Sequence, residues 1–144
     1  MKYPLTIAAI ALAALMSPAE AAALKEGGDP LASARWTDME KAFLSGAPVL
    51  FDPRVKVVAP STAENPMQVP VTVDATALPG IVEVVVFADF NPIVQVLRFF
   101  PEEAPAYLGF RVKLQQSTPV RAAVRTSDGV WHVGGTWVDR KSVV

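Results

Sequence analysis

Few side chains in this sequence are equipped for chemistry. The 144 residues hold one histidine, His132, and no cysteine. Without a thiol there is no sulfur nucleophile, no disulfide and no thiolate ligand. A metal site draws three or four ligands from His, Cys and carboxylates, and the carboxylates here are scattered over turns and outward strand positions. Triads assemble from residues distant in sequence, but Ser61, Ser117 and Ser127 lie in turn-like stretches and none occupies a nucleophile elbow. Glu102–Glu103 is the one adjacent carboxylate pair; it sits in a proline-bounded turn, where solvation accounts for it. Gly134–Gly135 falls inside a strand and lacks the lysine of a phosphate loop. No catalytic, cofactor-binding or metal-ligating residue is therefore assigned, and a hydrolase-type enzyme is the least favoured reading. His132 alternates with Trp131 and Val133, which places it on the surface side of the last strand or at a hydrogen-bonded sheet position.

Two other groupings point to binding rather than catalysis. Arg111, Lys113, Arg121 and Arg125 fall on outward positions of two strands. If those strands pair, the four cations share a face or its rim and could steer an acidic partner; the plainer alternative is a solvated face that discourages edge aggregation. The second grouping is apolar. Val82, Val84, Val85, Val86 and Phe87, then Ile93, Val94, Val96, Leu97, Phe99 and Phe100, are apolar in both alternation classes. One face of each strand meets the opposite sheet, and the other should be polar unless covered. Val85, Phe87, Val96 and Phe99 are the candidate contacts of a protein partner or a second copy, with the N-terminal helix as the rival cover.

The elements that would carry these residues follow from the pattern. Lys2, the apolar run Ile7–Met16 and the small residues Ala19 and Ala21 have the parts of a secretory signal peptide over 1–21, and the run is too short to span a bilayer. Export to the periplasm is expected, with no stable membrane insertion after cleavage. Residues 22–34 form a lead-in, in which Asp29–Pro30 looks like a cap with proline in the first turn. Thr37-Asp38-Met39-Glu40 has the spacing of a capping box; Trp36, Met39, Phe43 and Leu44 would share one helix face, and Gly46 with Pro48 would end it. From Val55 the period changes to two. Strands are expected at 55–59, 68–75, 81–88, 93–100, 106–114, 119–126 and 130–138, with turns at Asn91–Pro92, Pro101–Pro105 and Asp128–Gly129. Pro70 argues for an edge strand or a bulge. Gaps too short for crossover helices exclude a βαβ sheet. The fold expected for 35–140 is an all-β, immunoglobulin-like antiparallel sandwich with a short N-terminal helix, followed by a tail at 141–144. With 13 basic and 14 acidic residues and a net charge of -1, nothing marks a nucleic-acid partner.

At the level of whole stretches, DPRVKVVAPSTAENPMQVPVTVDA (52–75) and VEVVVFADFNPIVQVLRFFPEEAPAYLGFRVKLQQSTPVRAAVRTSDGVWHVGGTWVD (82–139) resemble SoxY-type sulfur carriers. The likeness runs from Trp36 to Asp139 and is closest to the SoxY-like part of SoxYZ-like carriers associated with periplasmic quinoprotein dehydrogenases. It implies a periplasmic immunoglobulin-like sandwich, a SoxZ-like partner domain or protein, periplasmic oxidoreductases as further partners, and sulfur intermediates held covalently on a cysteine in a mobile Gly-rich C-terminal arm. Here Trp137-Val138-Asp139 is followed by Arg140-Lys141-Ser142-Val143-Val144, with neither arm nor cysteine. The expectation is a scaffold of a sulfur-compound carrier system, truncated and unable to carry an adduct itself. The alternative is a non-catalytic interaction domain that keeps a SoxZ-like or dehydrogenase-associated partner.

Overall fold

In a computed structural model the described residues are 25–26 and 28–140. The expected signal peptide, the lead-in as far as Leu24 together with Gly27, and the tail at 141–144 lie outside them. The elements are β1 (Lys25–Glu26), α1 (Trp36–Leu44), β2 (Val49–Phe51), β3 (Lys56–Val58), β4 (Thr62–Ala63), β5 (Val69–Asp74), β6 (Ile81–Ala88), β7 (Gln95–Phe99), β8 (Tyr107–Val112), β9 (Thr118–Thr126) and β10 (Trp131–Arg140). The seven expected strands are present with their ends within two residues of expectation; β1, β2 and β4 are short additions. No helix among the described residues is long and apolar enough to cross a membrane.

The strands form two sheets. The larger runs β1-β2-β10-β9-β6-β7, with β4 also on β10; the smaller runs β3-β5-β8. Most pairs are antiparallel, but β10 meets both β2, which precedes the sandwich strands, and β4, which lies in the β3–β5 connection, in parallel. Pro70 was expected on an edge strand, yet β5 is the middle of the smaller sheet. β3 reaches only as far as Thr72, so Pro70 faces a neighbour, Arg111, on one side alone. The position is edge-like locally, which is where a missing N–H is tolerated.

Strand alternation divides the larger sheet into two buried faces. Val84, Val86, Ala88, Val120, Ala122 and Val124 pack with Val69, Val71 and Val73 of the smaller sheet. Val85, Phe87, Ala123 and Val133 point the other way, into a second cluster with Trp36, Met39 and Leu44 of α1 and Val49 and Phe51 of β2. The molecule therefore has a third layer, α1, which packs on this outer face with β2 at the sheet's margin. The capping box does not form: the helix starts at Trp36 with Arg35 as N-cap and no side-chain cap bond. Instead the Asp29 carboxylate accepts the amide hydrogens of Leu31 and Ser33, capping the turn ahead of the helix. The helix ends as the chain turns left-handed at Ser45 (φ 53) and Gly46 (φ 72).

Candidate functional site

The residues singled out as a partner surface separate into two groups. β8 and β9 lie in different sheets, so Arg111 and Lys113 do not share a face with Arg121 and Arg125. Val85 and Phe87 are each 1% exposed, and the Phe87 ring packs on Phe43 with centroids 5.1 Å apart. The helix covers them, so no exposed patch exists there. Val96 and Phe99 are half-buried on β7, an edge strand, and pack against the margin of the sandwich core. Arg111 and Lys113 are exposed on and just beyond β8, the edge of the smaller sheet.

Arg121 was expected to point outward, yet its side chain is 1% exposed. Its β9 position faces α1, and the guanidinium lies 4.4 Å from the centroid of the Trp36 ring. Nε and Nη2 donate to the Asp89 carboxylate at 3.0 and 2.8 Å. Nη1 and Nη2 donate to the two Asp29 oxygens at 2.8 and 2.9 Å. Burial pushes the Asp29 carboxyl up, but the Arg121 hydrogen bonds and the Ser33 and Leu31 amides bring it below the ordinary value. Burial likewise works against the Arg121 charge, and the two aspartates reverse it, so its affinity for the proton rises. Asp29 thereby fastens the segment 29–35 over the sheet, helped by Trp137 Nε1, which donates to the Leu31 carbonyl at 2.9 Å. Arg125 is half-exposed at the rim, where it shares Glu83 with Arg98.

A second polar cluster surrounds His132, which is buried between Leu50 of β2 and Val124 of β9. Its Nδ1 is 2.8 Å from Asp52 Oδ2 and its Nε2 3.3 Å from Thr126 Oγ1. The Asp52 carboxyl, raised by burial, is drawn lower by the Arg54 side chain and amide and by His132, and ends below its usual range. An ionised carboxylate only accepts, so the Nδ1 hydrogen belongs to His132. The order Asp–His–hydroxyl is that of a hydrolytic relay. A nucleophile must be open to substrate, however, whereas Thr126 is 6% exposed and its hydroxyl is engaged with the Asp128 carboxylate and the Val130 carbonyl. The cluster ties the 52–55 turn, β10 and the end of β9 together. Among the described residues no three of His, Asp, Glu or Cys group where they could hold a metal ion.

A groove of about 470 Å³ lies between these clusters, lined by Pro30 and Leu31 of the segment, Asp52 and Lys56, Arg121, and Gly134–Gly135. Its floor has to be glycine. A Cβ on Gly134 would stand 1.9 Å from the Val55 carbonyl oxygen, and one on Gly135 would stand 2.9 Å from Arg121 Cβ. Gly134 makes room for the 52–55 turn that crosses β10, and Gly135 for its β9 neighbours Val120 and Arg121 and the Leu31 side chain.

Sequence reasoning passed over Asp52, Glu83, Asp89 and Thr126, and it read Asp29 as a cap without its pairing to Arg121. The available signal was Asp89 directly after the apolar run Val84–Ala88, a place where a carboxylate needs a cation. Asp29 is 92 residues from Arg121, a separation that no local pattern reveals.

No curated protein sequence matches the chain. Among solved structures, the fold is similar to the sulfur carrier protein SoxY from Chlorobium limicola f thiosulfatophilum, with 22% identity, a TM-score of 0.65 and coverage of 76% of this chain and 98% of that one. More distant likenesses are the superoxide reductase (neelaredoxin) from Ignicoccus hospitalis, at 18% identity, TM-score 0.51 and coverage of 60% and 79%, and a putative superoxide reductase from Thermotoga maritima, at 15%, 0.51, 69% and 91%. These likenesses establish the sandwich architecture. The family described as Sulfur oxidation protein SoxY matches residues 39–142, from within α1 past the end of β10. The whole sandwich lies inside that span, and the chain belongs to the SoxY family.

Proposed function

We propose that this chain is a SoxY-like scaffold of a periplasmic sulfur-compound carrier system, working beside a SoxZ-like partner and contributing protein contacts rather than a thiol. The observation that carries the reading is the family match over the complete sandwich in a sequence with no cysteine. Persulfides and thiosulfonates form on cysteine sulfur, so these 144 residues offer no atom for such an adduct. What supports a contact role is the open flank between β7 and β8, where Val96 and Phe99 stay partly accessible beside Arg111 and Lys113. The buried clusters around Arg121 and His132 support the same reading, since each ties segments of the chain together. Association with a quinoprotein dehydrogenase belongs to this reading as its finer form.

The test has two arms. Intact-mass measurement after exposure to thiosulfate and an oxidising Sox partner should show an unmodified chain; a stable sulfur adduct on any residue overturns the thiol-free role. Titration with a SoxZ protein, followed by light scattering, should give a one-to-one complex; no complex removes the partner from the reading.

A further inference from the structure

A sandwich of two sheets has two flanks. β7 and β8 stand at one; β10 of the larger sheet and β3, the other edge of the smaller sheet, stand at the opposite one. Alternation along β10 turns the amide and carbonyl of every second residue from Trp131 to Asp139 away from β9. The Trp131 amide donates to the Pro48 carbonyl, the Val133 carbonyl accepts the Asp52 amide, and the Asp139 amide donates to the Ser61 carbonyl. Gly135 and Trp137 fall between these bonds, because β2 ends beside Val133 and β4 joins only at Asp139. Among the described residues neither has a backbone partner on this side. Two N–H groups and two carbonyls are left open along about 20 Å of strand. An uncovered edge of that kind is a template for another strand.

Gly135 lies in the floor of the 470 Å³ groove. One wall is Pro30 and Leu31, fixed by the Trp137 indole through the Leu31 carbonyl. The other is Val55, Lys56 and Val57, where the chain passes from the 52–55 turn into β3. Lys56 is exposed on its wall and makes no salt bridge among the described residues. Asp74, opposite it on β5, accepts hydrogen bonds from Thr76 instead. The slot thus offers main-chain donors and acceptors, apolar walls and a cation.

We propose that this slot takes an extended segment of a partner protein, which adds as a short strand to the free edge of β10 and presents a carboxylate to Lys56. An extended peptide is the ligand that answers N–H and C=O groups at strand spacing, and the charge of the wall selects an acidic one. Its apolar side chains lie against Leu31 and Val57. The slot is on the flank opposite Val96 and Phe99, so the inference does not rest on the SoxZ-like contact.

Amide hydrogen exchange of the purified chain, with the capped pentapeptide Val-Glu-Val-Glu-Val as probe, tests it. In the free chain Gly135 and Trp137 should exchange far faster than Thr136, whose amide faces β9. Millimolar peptide should slow Gly135 and Trp137 about tenfold or more and leave Thr136 unchanged. The same peptide N-methylated along its centre should have no effect, and Val-Lys-Val-Lys-Val should bind more weakly. Lys56→Glu, at an exposed position, should reverse that charge preference. Slow exchange at Gly135 and Trp137 in the free chain overturns the proposal, because the chain then fills the slot itself. So does an unchanged rate at millimolar peptide, equal binding of the N-methylated peptide, or a charge preference that survives Lys56→Glu.

Discussion

Arg121 concentrates in one side chain most of what sets this sandwich apart from a two-layer one. A guanidinium can be taken out of water where several hydrogen bonds with good geometry replace hydration, and here two carboxylates and an indole face do so. Removing the cation strands Asp89 at 0% exposure and loosens Asp29. We expect Arg121→Met to cost about 3–5 kcal/mol, the range for breaking a buried pair from one side, read from urea unfolding. Arg121→Lys should recover part of this, since it keeps the charge and loses the planar fork. The same logic gives a pH dependence. Asp29 and Asp52 are held below the ordinary aspartate value of 3.8. A carboxyl with a depressed folded pKa contributes stability that is present above the unfolded value and disappears as pH falls through the folded one. Stability should thus be flat down to about pH 5 and fall below about pH 4, with a shallower fall in Asp52→Asn. An unfolding midpoint that dropped between about pH 7 and 5 instead would remove these carboxylates as the cause. Little of this was legible in the sequence. The alternation correctly put Arg121 and Arg125 on the side opposite Val120, Ala122 and Val124, but alternation says which face a residue is on and not whether that face is wet.

At the scale of elements, α1 and the strands fared differently. The seven strand positions followed from period-two alternation and turn residues, because each strand is decided by its own residues and the core it meets. The helix was legible as an amphipathic stretch, but its start was not. Thr37 and Glu40 have the spacing of a capping box, yet Trp36 is drawn onto Arg121 and already occupies the first turn. Tertiary packing overrode the local signal. The crossing of the 52–55 turn over β10 was likewise hidden, because the sequence shows two glycines and not what lies on them. That crossing yields a strong expectation. Gly134→Ala places a methyl carbon 1.9 Å from a backbone oxygen, which no side-chain rotation relieves. It should cost more than the roughly 1–3 kcal/mol usual for overpacking. Gly28→Ala, with open space around it, is the control and should sit within about 0.5 kcal/mol of wild type. Equal midpoints for the two variants in thermal unfolding would show that the 52–55 turn moves aside freely.

Across the whole molecule, two cores lean on one sheet. The sandwich core draws on both sheets, while the second cluster joins the outer face of the larger sheet, its short strand β2 included, to a nine-residue helix. The two layers have unequal means of holding on. The smaller sheet contributes a full apolar face with Val69, Val71 and Val73 nearly inaccessible. The helix is fixed by Trp36, Met39 and Leu44, and Trp36 gives back part of its gain, since its indole N–H is buried without a partner. An unmade hydrogen bond of that kind costs about 1–3 kcal/mol. The helix is also held through the segment that Asp29 latches, so the third layer can leave as a unit while the sandwich stays whole. Native-state hydrogen exchange should then find two levels. Amides of β6 and β9, covered on both faces and paired on both edges, exchange only with global unfolding. Those of α1 exchange through a smaller opening with lower free energy. Met39→Ala, which empties a buried site in the second cluster alone, should lower protection of α1 and leave β5 and β8 unchanged relative to the global level. If α1 and β9 instead exchange with one free energy and respond together to Met39→Ala, the third layer is not a separable unit. The latch of Asp29 on Arg121 would then bind all three layers into a single cooperative fold.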